Sequence, residues 1–173
     1  MRPLWQVADF FRGVRRELRF GELSRAPLKL LRFELHNDVA ECDWISRPAD
    51  EWDATLSSSV RNHNESLQSL EDAIAIRAML LDAIPEVQSA TLRAFRQPAR
   101  EPPELVILGA VSRGAPDVQN VGSLVMRAKL YGFCFCFEDG FLRPLQQDEE
   151  QSYEFITQSV TRPGQGGISN GSK

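Results

Sequence analysis

The feature that most constrains the fold is a stretch of alternating polar and apolar residues on both sides of the pair Asn37-Asp38. Alternation at every second residue is typical of a β-strand that buries one face. Asn and Asp favour tight turns, so the two alternating halves, residues 31–35 and 40–44, are predicted to form a hairpin. Three cross-strand pairs then bring the apolar residues to one face: Leu35 with Ala40, Phe33 with Cys42, and Leu31 with Trp44.

A different pattern precedes the hairpin, because the apolar residues of positions 4–18 recur every three or four residues. This spacing predicts an amphipathic helix. Its apolar arc, the predicted docking face, consists of Leu4, Val7, Phe11, Val14 and Leu18. Residues 1–20 also hold five arginines and two acidic residues, a net charge of +3 in a chain whose total is −4. We expect the arc to dock on the chain's own sheet or on that of a partner, with an anionic membrane surface as the alternative.

The rest of the chain alternates between helical and strand-like segments. Residues 46–66 are predicted to form a long polar connection, with a short helix that starts at Pro48. The later predicted segments are a helix over 67–84, a strand over 87–96, a central strand over 105–111, a helix over 118–130, an aromatic strand over 131–137, and a strand from 141 after a tight turn at 138–140. Residues 146–173 become acidic and then rich in glycine, so they are predicted to be a partly disordered tail.

The order of these segments, α-ββ-α-ββ-α-ββ, predicts one α+β domain over residues 1–145, in which helices cover one face of a mainly antiparallel sheet. From residue 39 to residue 137, the order also fits a ferredoxin-like βαββαβ core. That core has one difficulty. Its first strand, over residues 40–44, would already lie between two other strands of the core, whereas the hairpin also places the strand over 31–35 beside it. Either the last strand is displaced or the hairpins and helices assemble differently.

Charge and composition exclude several classes of function. The 173 residues include 24 acidic and 20 basic residues, and without a basic surplus a nucleic-acid partner is not expected. No run of roughly eighteen apolar residues predicts a membrane span, and charged residues interrupt the apolar N-terminal segment, so no secretory signal is predicted. Three cysteines, an odd number, do not make a disulfide framework, and a reducing, cytoplasmic location fits them best.

One group of residues could support thiol or metal chemistry. Cys134 and Cys136 lie two apart in the predicted aromatic strand and would share a face, and Cys42 and His36 are the remaining candidates for a cluster. We favour structural packing, because the sequence holds no second closely spaced pair of ligands. A buried cysteine also behaves as a small apolar residue, and phenylalanines alternate with these two cysteines.

The sequence contains no motif that names a reaction. His63 lies close in sequence to the serines at positions 57–59, but no rigid strand-to-helix turn presents any of these hydroxyls as a nucleophile. The glycines are too scattered for a phosphate-binding loop. The acidic residues on both sides of Trp52 are typical of the first turn of a helix. Whether the chain is an enzyme stays open, but the sequence favours a protein that is not an enzyme and that binds no cofactor.

The sequence therefore predicts a small, soluble module, either structural or for protein interaction, without identifiable catalytic machinery. Its expected partner is another protein or a second copy of the chain, as in a homodimer. A thiol- or metal-dependent protein that uses Cys134 and Cys136 with Cys42 and His36 is the first alternative. Peripheral attachment to a membrane through the basic N-terminal helix is the second.

Overall fold

The computed structural model describes residues 4–146 and shows an α+β fold, as the sequence predicts. The predicted tail over 146–173 lies outside the described residues except for Gln146. The α-helices are α1 (Leu4–Glu17), α2 (Ser58–Ala83) and α3 (Leu124–Leu130), and a 3-10 helix (Glu51–Thr55) lies where a short helix from Pro48 is predicted. The strands are β1 (Lys29–His36), β2 (Val39–Ile45), β3 (Ser89–Arg96), β4 (Glu104–Ser112), β5 (Phe133–Cys134), β6 (Cys136–Glu138) and β7 (Phe141–Arg143).

The first five strands form one sheet in chain order, β1-β2-β3-β4-β5, and β6 pairs with β7 in a second, two-stranded sheet. The large sheet is mainly antiparallel, with a parallel pairing of β2 and β3 that α2 connects as a crossover. The predicted ferredoxin-like core is wrong, because in that core β2 would lie between β4 and β5, whereas β1 and β3 flank it here. The order of elements also differs after α3, where three short strands replace the expected two.

The β1-β2 hairpin has the predicted register next to its turn. Asn37 adopts the left-handed backbone conformation, with φ of 56°, that a two-residue hairpin turn requires. The predicted pair of Leu31 with Trp44 is wrong, because a β-bulge shifts the register and places Leu30 opposite Trp44. The bulge leaves Leu31 47% exposed. The pairs found as predicted are Leu35 with Ala40 and Phe33 with Cys42.

The sheet face that points away from the helices carries charged side chains of β1, β2 and β3. Arg32 contacts Glu34 at 2.8 Å and Glu41 at 3.3 Å, and Arg93 reaches Glu41 at 3.4 Å. The two arginines thereby offset the repulsion between Glu34 and Glu41, which are cross-strand neighbours. Hydrogen bonds from Arg32, and next from His36, lower the pKa of Glu34 to about 2. This face is therefore a solvated surface of mutually paired charges.

Helix α2 is longer than predicted. It begins at Ser58, although the polar composition of residues 46–66 favours a connection there. The polar first turns are helical because they pack against β7 and the turn before it. His63 Nδ1 hydrogen-bonds to the carbonyl of Gly140, and the Ser66 hydroxyl accepts a hydrogen bond from a β7 amide at 2.9 Å. Contacts distant in sequence therefore decide where this helix starts.

The predicted aromatic strand over 131–137 is divided between the two sheets. Strand β5 pairs with β4, and β6 pairs with β7. Gly132 permits the close approach to β4, because its φ is +97° and a Cβ there would lie 2.4 Å from the carbonyl oxygen of Ala110. The turn between β6 and β7 is the predicted tight turn, with positive φ at Asp139 and Gly140.

The hydrophobic core lies between the large sheet and the helices. Side chains on one face of the strands, such as Trp44, Leu92 and Ile107, form a single buried cluster with Leu70 and Leu80 of α2. Residues at alternate positions of β2 and β3 are mostly only half-buried. The helices therefore cover one face of the sheet, as the alternation of the strands predicts.

Helix α1 packs on α2 and β1 through a face centred on Phe10. Phe10 is 1% exposed, and its ring centroid lies 5.3 Å from that of Phe33 in β1. Leu4, by contrast, is 81% exposed and takes no part in this packing. The intramolecular contact face is therefore rotated from the predicted arc towards Phe10. Of the other arc residues, Val14 is buried, and Val7, Phe11 and Leu18 are partly buried against the core.

This packing predicts unequal effects of two alanine substitutions in α1. Phe10→Ala should lower the free energy of unfolding by about 3 to 5 kcal/mol, because it removes a fully buried ring and leaves a cavity. Leu4→Ala should change that free energy by less than about 0.5 kcal/mol, since the side chain is exposed. Urea denaturation followed by circular dichroism measures both values. Equal losses in the two variants would contradict the packing face described here.

Candidate functional site

A cleft of about 580 Å³ opens between the end of α1, the loop that follows it, α2 and α3, and we call it the helical cleft. Its volume lies in the range of pockets that bind small ligands or side chains of a partner. Apolar and charged side chains both line it. The apolar lining includes Leu18, Ile74, Ala75 and Leu124, and the charged lining includes Glu17, Glu22, Glu71 and Arg127.

A buried ion pair between Arg47 and Asp72 supports the helical cleft from inside. Arg47 Nε donates to Asp72 Oδ2 at 2.7 Å, and Nη2 donates to Oδ1 at 3.0 Å, so the contact is bidentate. Arg47 Nη1 also donates to the carbonyl of Ala26 at 3.0 Å. Burial raises the pKa of Asp72, while the hydrogen bonds and charge of Arg47 act in the opposite direction. The pair joins the segment after β2, the segment before β1 and the middle of α2.

Gln68 extends this buried network to the loop after α1. Its side-chain amide donates to Asp72 Oδ1 at 3.0 Å, and its carbonyl oxygen accepts a hydrogen bond from the amide of Leu23 at 2.7 Å. Gly21 lies so close that a Cβ there would be 2.4 Å from the Gln68 side chain. A glycine at position 21 therefore lets the loop lie directly on α2 and form one edge of the cleft.

Two carboxylates in the cleft, Glu22 and Glu71, form no ion pair with any residue between 4 and 146. Burial raises the pKa of Glu71, and the negative charges of Glu22 and Asp72 add to the rise, whereas Arg127 opposes it. The ionised form of Glu71 is therefore disfavoured in the cleft as it stands. A cation bound beside Glu71 would relieve this repulsion.

The structure does not bring the predicted thiol candidates together with the histidine. Cys42 lies on the helix-covered face of β2, whereas His36 is exposed on the opposite face of β1. Burial, and next the charge of Asp43, raise the pKa of Cys42 to about 12, so the reactive thiolate is strongly disfavoured. Cys134 lies in β5, three strands away from β2, and Cys136 lies in the second sheet. Both are half-buried.

The histidine and serines of the polar segment have structural contacts. Ser57 caps α2, because its hydroxyl accepts a hydrogen bond from the amide of Val60 at 3.4 Å. His63 bonds to the carbonyl of Gly140, and its ring lies 6.2 Å from that of Phe137. These contacts attach the first turns of α2 to the β6-β7 hairpin and leave the serine hydroxyl engaged with its own helix.

A second cavity lies between α2 and the ends of β3 and β7. It is lined by residues that include Ser46, Glu65 and Arg96, and its volume is about 10 Å³. A space of this size admits at most about one water molecule. The helical cleft is therefore the better candidate for a ligand or partner.

Comparison with known proteins adds no assignment, since no protein-family model, curated protein or solved structure matches the chain significantly. Among residues 4–146, no cluster of three or more His, Cys, Asp and Glu side chains is arranged to hold a metal ion. The same part of the chain contains no helix that is both long and apolar enough to cross a bilayer. The geometry of the helical cleft is therefore the main guide to function.

Apart from Leu18, the residues of the helical cleft belong to no predicted site. Arg47 and Asp72 lie 25 positions apart and belong to no motif, so only the fold brings them together. One signal was present in the sequence: Gln68 and Asp72 lie on the same side of the predicted helix over 67–84 as the apolar residues Ala75 and Met79. Polar residues on an otherwise buried stripe indicate a polar site at that face.

The buried ion pair predicts a pH-dependent cost of losing Arg47. Arg47→Met should lower the free energy of unfolding by about 3 to 5 kcal/mol at pH 7, because Asp72 would remain buried without its counter-ion. The loss should be smaller at pH 4, since without Arg47 burial would raise the pKa of Asp72 further, with only the hydrogen bond from Gln68 opposing it, and the carboxyl would take up a proton at less cost. Guanidinium denaturation at the two pH values measures the effect. The control, Arg12→Met, breaks an exposed pair with Asp9 and should cost less than about 1 kcal/mol at either pH.

A matched prediction concerns Glu71, whose raised pKa means that the fold favours the protonated form. The contribution of this group to the stability of the wild-type chain should therefore fall as the pH rises through its unfolded and then its folded pKa. Glu71→Gln removes the charge, so the variant should melt at a higher temperature than wild type at pH 7 and at nearly the same temperature at pH 3. Thermal denaturation across this range measures the difference. A variant that is less stable than wild type at pH 7 would contradict the assignment of Glu71 as an unfavourable charge.

Proposed function

We propose that this protein is a protein-interaction module and that the helical cleft receives a basic side chain of its partner. The observation that carries the proposal is the combination of an apolar lining with two carboxylates, Glu22 and Glu71, that form no salt bridge among residues 4–146. Such sites fit lysine and arginine, whose aliphatic stems pack on apolar surface while their charged ends reach a carboxylate.

The buried polar groups support binding more than catalysis. Arg47, Asp72 and Gln68 direct their hydrogen bonds to one another and to the backbone of the neighbouring loops. They hold the cleft in shape, and Glu22 and Glu71 remain to meet an incoming group. A preformed cleft lowers the entropic cost of association, which suits a module whose task is recognition.

A titration with two small probes tests the proposal. N-acetyl-lysine amide should bind the helical cleft with a dissociation constant of about a millimolar or weaker, whereas N-acetyl-norleucine amide, which lacks the charge, should bind more weakly still. Chemical-shift changes in ¹⁵N-labelled protein measure both and should concentrate on Leu18, Gly21, Ile74 and Leu124. Glu71→Gln should weaken lysine-amide binding about two- to fivefold, the range expected of one partly exposed ion pair.

The control is Glu138→Gln, which removes the same charge from the β6-β7 hairpin and should leave binding unchanged. Equal binding of the lysine and norleucine probes would overturn the role of the carboxylates. Shift changes that fall elsewhere on the protein would overturn the cleft as the binding site.

A further inference from the structure

We propose that the basic group received by the helical cleft is Arg19 of a second copy of this chain, so that two copies bind each other reciprocally about a twofold axis. This inference rests on the function proposed above and names the partner of that same site. It places Arg19 of each copy beside Glu22 and Glu71 of the other.

The segment that borders the helical cleft carries charges of both signs. Glu22 lines the cleft, and Arg19 lies between two other lining residues, Leu18 and Phe20. Arg19 is exposed and forms no salt bridge among residues 4–146, and the same holds for Glu22. Two exposed charges of opposite sign that form no salt bridge among the described residues therefore lie three positions apart in the segment that borders the cleft.

A twofold interface requires this kind of adjacency. In a symmetric dimer, the same patch of both copies is buried, so the patch must contain groups that complement each other. A basic group on one side of the molecule and an acidic group on the other would instead build open chains of molecules. Because Arg19 and Glu22 belong to the same short segment beside the cleft, a single rotation by 180° can pair each of them with the other copy.

An exposed aromatic ring, that of Phe20, lies between Arg19 and Glu22 in this segment. Phe20 is 62% exposed although it is a large apolar residue that lines the cleft. The guanidinium carbon of Arg19 lies 5.2 Å from the centre of the Phe20 ring. Aromatic and arginine side chains are enriched at the centres of protein interfaces, where they contribute most of the binding energy. Phe20 therefore supplies the apolar centre and Arg19 the charged contact of the interface.

The charges of this surface favour a protein over a membrane or a nucleic acid. Helix α1 carries exposed arginines, which alone would suit an anionic lipid surface. The adjoining cleft, however, presents Glu17, Glu22 and Glu71 against the single arginine Arg127 at its opening, so its net charge is negative and an anionic partner would be repelled there. A partner with both signs of charge matches the patch, and a second copy of the chain has that pattern.

The test is a charge exchange between Arg19 and Glu22, followed by sedimentation velocity of the full chain at micromolar concentrations. Both side chains are exposed, so both variants should fold. Wild-type protein should dimerise, and Arg19→Glu and Glu22→Arg should each weaken the dimer about tenfold or more, because each places like charges opposite one another in both halves of the interface. The control Arg100→Glu makes the same change of charge on a loop outside the cleft and should leave the dimer unchanged.

Mixing the two variants is the decisive step. In a mixed dimer, position 19 of the first variant, now acidic, would meet position 22 of the second variant, now basic. The native Arg19 and Glu22 would meet in the other half of the interface, so dimerisation should return. The double variant Arg19→Glu with Glu22→Arg should also recover it. Phe20→Ser should weaken the dimer without changing the melting temperature of the monomer, since the ring is exposed.

Three results would overturn the inference. They are a wild-type chain that stays monomeric throughout, a dimer that Arg19→Glu leaves intact, and a mixture that fails to associate. If the monomeric wild type bound vesicles that contain anionic lipid and not neutral vesicles, α1 would instead face a membrane. The lysine-amide titration remains independent of these outcomes, because it reports on the cleft of a single chain.

Discussion

The arrangement of this protein depends on the buried ion pair between Arg47 and Asp72. The pair draws together the segment after β2, the segment before β1 and the centre of α2, three parts of the chain that are not neighbours in sequence. Its geometry is bidentate, and the remaining contacts of Asp72 and Arg47 go to Gln68 and Ala26. A buried ion pair is tolerated only when its polar atoms are hydrogen-bonded in this way, because taking both charges out of water costs several kcal/mol per ion. The cleft above it is thus built on a rigid base.

The base and the opening of the cleft differ in how the charges of their carboxylates are compensated. Asp72 has its counter-ion inside the protein, whereas Glu71, the preceding residue of α2, has a raised pKa and no ion pair among the described residues. Holding a disfavoured charge in place costs stability, and either protonation of Glu71 or a cation bound beside it would relieve that cost. Binding sites commonly carry this trade-off between the stability of the free protein and the affinity for a partner.

Local patterns in the sequence correctly predicted those features of the fold that local interactions determine. The register beside Asn37 followed from alternation and turn preference, and helix α1 followed from its apolar spacing. The bulge at Leu31 and the early start of α2 at Ser58 depend on tertiary contacts, and α3 covers only half of the predicted helix. The strand order likewise depends on which hairpin edges meet. The cleft could be predicted least, because its charged residues come from α1, the loops and two helices and share no spacing or motif.

The bulge in β1 has a consequence for how this protein meets others. Strand β1 is one of the two edges of the large sheet, and its eight residues would otherwise offer a straight row of backbone groups to any extended chain. The extra residue at Leu31 bends that row, and Lys29 and Arg32 flank it with charge. The opposite edge, β5, is only two residues long. Strand addition is thus hindered along β1, which reduces the hazard of fibrous aggregation there, and the function proposed above places the partner on the helical side of the sheet instead.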